Sequence, residues 1–102
     1  MLSKRERISR SQFAEIMKSR QFANSPHFTL RSVSVGNIAK FAVSVSKKVS
    51  KKAVVRNRIR RRAYSALPKA SPGLHLLIAK PGAEQVKGEV LRDELALLFK
   101  KR

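Results

Sequence analysis

Between positions 47 and 62 the chain sets out Lys47, Lys48, Lys51, Lys52, Arg56, Arg58, Arg60, Arg61 and Arg62, so nine of sixteen residues are cationic. Side chains of this kind do one chemistry well. Ammonium and guanidinium groups bind phosphate oxygens, and arginine does so through a planar bidentate fork. No acid lies between Glu15 and Glu84; the six acids are Glu6, Glu15, Glu84, Glu89, Asp93 and Glu94, all near the two ends. A merely solvated basic face normally mixes signs. This one does not, so its natural partner is a polyanion, with RNA or DNA the default. Composition does not choose between the two, because arginine fits the phosphates and base edges of either.

Other chemistries lack their residues. Phosphodiester hydrolysis by protein groups needs clustered carboxylates for metals, or paired histidines. The basic region holds no carboxylate, and His27 and His75 are single residues on separate predicted strands, read here as structural. The glycines Gly36, Gly73, Gly82 and Gly88 form no phosphate-cradling loop, so neither nucleotide hydrolysis nor a small-molecule substrate is indicated. With no cysteine there is no disulfide and no thiolate zinc site, which fits a reducing cytoplasm. The longest aliphatic run, Leu76 to Ala79, is far short of the ~20 residues that span a bilayer, so no membrane partner is expected. The start, Met1 to Arg7, has no apolar stretch of signal-peptide length, and Glu6 and Glu15 argue against an organelle transit peptide.

These cations must be positioned by a small fold. A chain of 102 residues with 42% hydrophobic content suits one domain, residues 1–102, with one modest core. The net charge of +18 opposes compaction and predicts steeply salt-dependent binding. Ser11 can cap a helix running to about Arg20, with Phe13, Ile16 and Met17 on one face. Asn24-Ser25-Pro26 breaks it. Residues 28–35 and 38–46 alternate, and Gly36-Asn37 between them is a turn signal; together they read as an antiparallel hairpin. A helix from Lys51 to Leu67 carries the apolar stripe Val55, Ile59, Ala63 and Ala66. Leu74 to Ala79 is a short buried strand, and a last helix over 83–99 buries Leu91, Leu95, Leu98 and Phe99. Gly88 inside it weakens its first turns. The class is α+β, one sheet with helices packed on it.

On the basic helix, Arg56 and Arg62 flank the apolar stripe, while Asn57, Arg58, Arg60 and Arg61 cover the other sides. Lysines at its start oppose the helix dipole. A docked phosphate would satisfy both them and the free backbone N–H groups. Asn57 is a mediocre helix former in mid-helix, and is either a buried hydrogen-bonding group or an RNA contact. Phe13, Phe22, Phe28, Phe41 and Tyr64 offer stacking surfaces for a single strand, although core packing is the commoner use of any one of them.

Ser46-Lys47-Lys48 followed by Ala53-Val54-Val55-Arg56-Asn57-Arg58-Ile59-Arg60-Arg61 resembles the protein subunit of bacterial ribonuclease P. The early helix with Phe13, the strand and Pro-Gly turn from Leu76 to Gly82 and the closing amphipathic helix extend the likeness over residues 1–100. The resemblance implies an α-β-β-β-α-β-α order with a four-stranded sheet and a left-handed βαβ crossover, a fold shared with a domain of a small-subunit ribosomal protein. It also implies an endoribonuclease holoenzyme in which the RNA subunit, with Mg²⁺, removes the 5′ leader of precursor tRNA. In that setting Arg56, Asn57, Arg58, Arg60 and Arg61, with Lys47, Lys48 and Lys52, would face ribonuclease P RNA. Phe13, Met17 and Arg31 would line the cleft for the precursor-tRNA leader. Met17 and Arg31 stand where relatives often carry aromatics, which shifts leader contact towards softer and ionic interactions. Ala63-Tyr64-Ser65 replaces an Arg-Glu pair common in relatives.

Two other readings share the charge and size. A ribosomal protein binding rRNA would look similar, and only the Lys-Lys…Arg-Asn-Arg constellation separates it. A helix-turn-helix DNA binder would need two adjacent helices, whereas the basic helix here lies between strands.

Overall fold

In a computed structural model the described residues are 8, 10–18, 22–34, 36–70 and 72–101, with the side chains of 10, 11, 13 and 101 outside the description. The order is α1 (Arg10–Met17), β1 (Phe22–Asn24), β2 (Phe28–Val33), β3 (Ala39–Ser44), α2 (Ala53–Ala66), β4 (Gly73–Ala79), a 3₁₀ turn (Ala83–Gln85) and α3 (Gly88–Lys101). This is the α-β-β-β-α-β-α sequence of elements on a mixed four-stranded sheet. Helix α1 starts one residue before Ser11, so Ser11 lies inside its first turn and is not the cap; Arg20 lies outside the described residues.

The sheet runs β1-β2-β4-β3. The expected hairpin between residues 28–35 and 38–46 does not form. β4 enters between those strands, antiparallel to β2 and parallel to β3. The physical reason lies in β4 itself. Gly-Leu-His-Leu-Leu-Ile-Ala is apolar on both faces and buried at all but one position, so it takes the centre of the sheet, where both faces are covered. β2 and β3 bury mainly alternate residues and accept the flanking places. The real hairpin is β1–β2, with Ser25-Pro26-His27 as its turn. Gly73 makes the insertion possible. Its φ is +142°, and a Cβ there would stand 2.4 Å from the Val33 carbonyl oxygen.

Alternation along the strands gives the sheet two unequal sides. On one, Phe28, Leu30, Phe41, Val43 and Leu77 meet Ile59 and Ala63 of α2 and Leu91, Leu95, Leu98 and Phe99 of α3. Ser32, His75 and Phe41 form a row across the strands. The His75 ring stacks on Phe41 at 5.4 Å and its Nδ1 lies 3.1 Å from Ser32 Oγ, so His75 is a core residue. On the other side, Ile16 of α1 covers Leu74 and Leu76. α3 begins only at Gly88, with φ +62°, so the glycine stands at its start and not within it.

The β1–β2 turn is tied to α3. Glu94 Oε2 accepts from Ser25 Oγ at 2.6 Å and from the His27 backbone N–H at 2.8 Å, and Oε1 lies 2.7 Å from His27 Nδ1. His27 is thus a turn residue with a structural bond. The outer edge of β3 is closed by Tyr64, whose hydroxyl accepts from Val43 N–H at 3.3 Å, and by Ile8, whose N–H donates to the Phe41 carbonyl at 3.3 Å.

Candidate nucleic-acid interface

The chain leaves β3 through a lysine-bearing turn before α2. Val49 is buried and anchors that turn, while Lys47 and Lys48 on it are exposed. Lys52 is the N-cap of α2, and no side chain caps the helix there. The first turn of α2 holds no acid. Its positive dipole end therefore meets only lysine, an arrangement that favours an anionic ligand over intrinsic stability.

Ile59 and Ala63 are the buried residues of α2, which leaves most of its circumference to charge. The arginines there are not equivalent. Arg56 Nη1 donates to the Ser50 carbonyl at 2.9 Å, and Arg60 Nη2 to the Val45 carbonyl at 3.5 Å. Both therefore brace the segment between β3 and α2 while keeping part of their guanidinium at the surface. Asn57 is exposed and accepts from Arg60 Nη1 at 2.6 Å, which answers the question its mid-helix position raised: it is not a buried hydrogen-bonding group but a surface residue that orients an arginine. Arg58 and Arg61 are exposed and make no hydrogen bond or ion pair with any described residue. Sequence spacing alone does not divide the set this way, because the division depends on where the linker carbonyls fall.

The residues expected at the leader cleft lie on the other side of the sheet. Phe13 belongs to α1, but its side chain lies outside the description. Met17 is 48% exposed at the end of α1. Arg31 on β2 donates from Nη1 to the Met17 carbonyl at 3.4 Å, placing a cation at the helix C-terminus. Its register partner on β1 is Phe22, 56% exposed, with the Arg31 guanidinium 5.9 Å from the ring centroid. Met17 and Arg31 are thus brought together, and Phe22 joins them. Phe22 figured in the sequence only as one aromatic among several. The missed signal was a three-residue edge strand, too short for alternation to declare. Phe28, Phe41 and Phe99 are buried, as core packing requires, and Tyr64 is half-buried.

The Lys/Arg group on α2 and the Met17–Arg31–Phe22 group therefore occupy opposite faces of one sheet. Among the described residues no three His, Asp or Glu side chains gather to hold a metal, and no helix is long and apolar enough to cross a membrane.

The fold and its surface define a small basic α+β protein built around an arginine-rich crossover helix. The Ribonuclease P family model matches residues 2–102, and the chain belongs to that family. A ribonuclease P protein component from Trichormus variabilis is 35% identical over 106 residues, covering 78% of this chain and 76% of that protein. One from Picosynechococcus is 54% identical over 65 residues, covering 59% and 56%. The match to the Nostoc punctiforme component spans 44% of that protein, so the chain aligns to less than half of it. Among solved structures, the RNase P protein of Staphylococcus aureus superposes with a TM-score of 0.82 at 21% identity, covering 94% of each chain. The Thermotoga maritima protein gives 0.72 at 21%, covering 95% and 97%. At those identities the likeness speaks for the fold.

Proposed function

We propose that this chain is the protein subunit of a ribonuclease P holoenzyme in the cytoplasm. In this reading it binds ribonuclease P RNA through Arg56, Asn57, Arg58, Arg60 and Arg61 of α2, together with Lys47, Lys48 and Lys52. The opposite face, with Phe13, Met17 and Arg31, receives the single-stranded 5′ leader of precursor tRNA, and Phe22 adds a stacking surface beside Arg31. The RNA subunit performs the endonucleolytic cut. Mg²⁺, held mainly by that RNA, supplies the Lewis acid and activated water.

The work of the protein is electrostatic and positional. Arg58 and Arg61 neutralise backbone phosphates and release counterions. Arg56 and Arg60 do the same while tying the helix to the preceding linker, so the lysine turn and the helix face one ligand as a rigid unit. Holding the leader on the far side of the sheet adds affinity for precursor over mature tRNA, because only the precursor has that strand. The observation that supports this reading best is the pair of exposed arginines Arg58 and Arg61, without a partner among the described residues, in a member of the Ribonuclease P family.

Reconstitution tests it. The purified chain is mixed with a bacterial ribonuclease P RNA at low Mg²⁺, where the RNA alone is nearly inactive, and 5′-leader removal from a precursor tRNA is followed. Restored cleavage at the mature 5′ end is expected. Arg56→Ala with Arg58→Ala should weaken RNA-subunit binding and lower its salt slope by roughly one to two units. No rescue, with tight binding to ribosomal RNA fragments instead, would overturn the reading in favour of a ribosomal role.

A further inference from the structure

Helices α2 and α3 pack side by side on the same face of the sheet, and a groove of about 390 Å³ opens between them. From α2 it is lined by Arg58, Arg61, Arg62 and Ser65, positions i, i+3, i+4 and i+7 of one helical stripe. From α3 it is lined by Gly88 and Arg92, again i and i+4. Four guanidinium groups thus border one small concavity. Ser65, Ala66 and Gly88 are the small residues of its lining, and a Cβ built at Gly88 would meet nothing within 4 Å.

Arg62 is held in place, because its Nη1 donates to the Glu84 carbonyl at 3.1 Å. Arg58, Arg61 and Arg92 have no hydrogen-bond or ion-pair partner among the described residues. That is unusual for Arg92, which shares α3 with Glu89, Asp93 and Glu94. Glu94 is engaged by the β1–β2 turn. Glu89, one turn before Arg92, and Asp93 beside it neither line the groove nor form an ion pair with Arg92. Four like charges with no carboxylate among the residues lining the groove repel one another, and an anion between them offsets the repulsion.

We infer that the RNA interface does not end at α2 but continues across this groove onto α3, where Arg62 and Arg92 close on a backbone phosphate of the RNA subunit. This rests on the reading of α2 as the RNA-subunit face. It adds two residues, one of them on a helix that is otherwise acidic and apolar until its terminal Lys100 and Lys101.

The test uses the full chain and a bacterial ribonuclease P RNA, with dissociation constants measured over a series of KCl concentrations. Arg92→Gln should weaken binding several-fold and lower the salt slope by about one. Arg92→Lys should keep the slope, and Arg92→Glu should weaken binding further than Gln does. Because Arg92 is exposed and has no partner among the described residues, and because its charge adds to the repulsion in the groove, Arg92→Gln and Arg92→Glu should unfold no earlier than the parent, so weaker binding is not lost folding. Arg58→Gln is the comparator. If Arg58→Gln weakens binding while Arg92→Gln leaves both affinity and slope unchanged, the extension onto α3 is wrong and the α2 interface stands. If neither substitution changes binding, the α2 reading fails and this inference falls with it.

Discussion

α2 and α3 are each 14 residues long and lie on the same face of the same sheet, yet they do opposite work. α3 buries Leu91, Leu95, Leu98 and Phe99 and pins the β1–β2 turn through Glu94. α2 buries only Ile59 and Ala63 fully, packs Val55, Tyr64 and Ala66 partly against the core, and gives much of its remaining surface to five arginines. A small core cannot be built from two helices of the second kind. One helix carries the burial so that the other can carry charge that is unfavourable for folding. The largest effect that follows is on α3. Leu95, wholly buried, should lose about 2–5 kcal/mol of stability when changed to alanine, read by urea denaturation. A loss well under 1 kcal/mol would mean that α3 is not the load-carrying partner and the comparison is misdrawn.

Glu94 sharpens the same contrast, because it is an acid used structurally on a chain that otherwise keeps acids away from its working face. Burial pushes its carboxyl up. Hydrogen bonds from Ser25 Oγ and from the His27 side chain and backbone, with the His27 charge, outweigh that and leave its pKa below the ordinary glutamate value. A carboxylate depressed in the folded state contributes stability at pH above its unfolded pKa, and that stability is lost as pH falls through the folded value. Glu94→Ala should therefore cost roughly 1.5–3 kcal/mol near neutrality, the usual worth of hydrogen bonds to a charged group. The gap between variant and parent should narrow as pH drops below about 4.3. A gap that stays constant from neutral to acid pH would show that Glu94 acts by packing and not by charge.

The helices were legible in the sequence because each repeats its apolar residues at helical spacing: Val55, Ile59, Ala63 and Ala66 on α2, and Leu91, Leu95 and Leu98 on α3. The basic face was legible because acids are missing from it. Sheet pairing was not. A turn signal at Gly36-Asn37 suggests a local hairpin, but the partner of both flanking strands is β4, about forty residues after β2. The apolar two-sided character of Leu74 to Ala79 was visible, and it demanded a central strand; local turn chemistry pointed elsewhere, and burial of β4 decided the outcome. Phe22 and Arg31 illustrate the same limit, since their pairing depends on a three-residue strand. Arg92 does so more sharply, because only the packing of α3 on α2 turns a lone arginine among acids into the fourth member of a cluster.

The smallest expected effect is at the start of α2, and it tests whether that helix gives up stability for its ligand. Lys52 occupies the N-cap with φ −84° and ψ 119°, a backbone conformation suited to a capping serine, but provides no side-chain acceptor for the first-turn N–H groups. Lys52→Ser supplies an acceptor for Val54 or Val55 N–H and removes a cation from the positive end of the dipole. The first change is worth about 0.5–1 kcal/mol and the second a few tenths, so the variant should be more stable than the parent by roughly 1 kcal/mol. Lys52→Ala removes the charge without adding the cap, and should gain only the smaller part. Both should bind ribonuclease P RNA more weakly, with a salt slope lower by about one, because one phosphate contact is gone. Stabilisation together with weaker binding is the outcome that fits a position selected for its ligand. If Lys52→Ser is instead destabilising, the lysine supports the fold in its own right, and the helix start is not an anion site held open at the expense of stability.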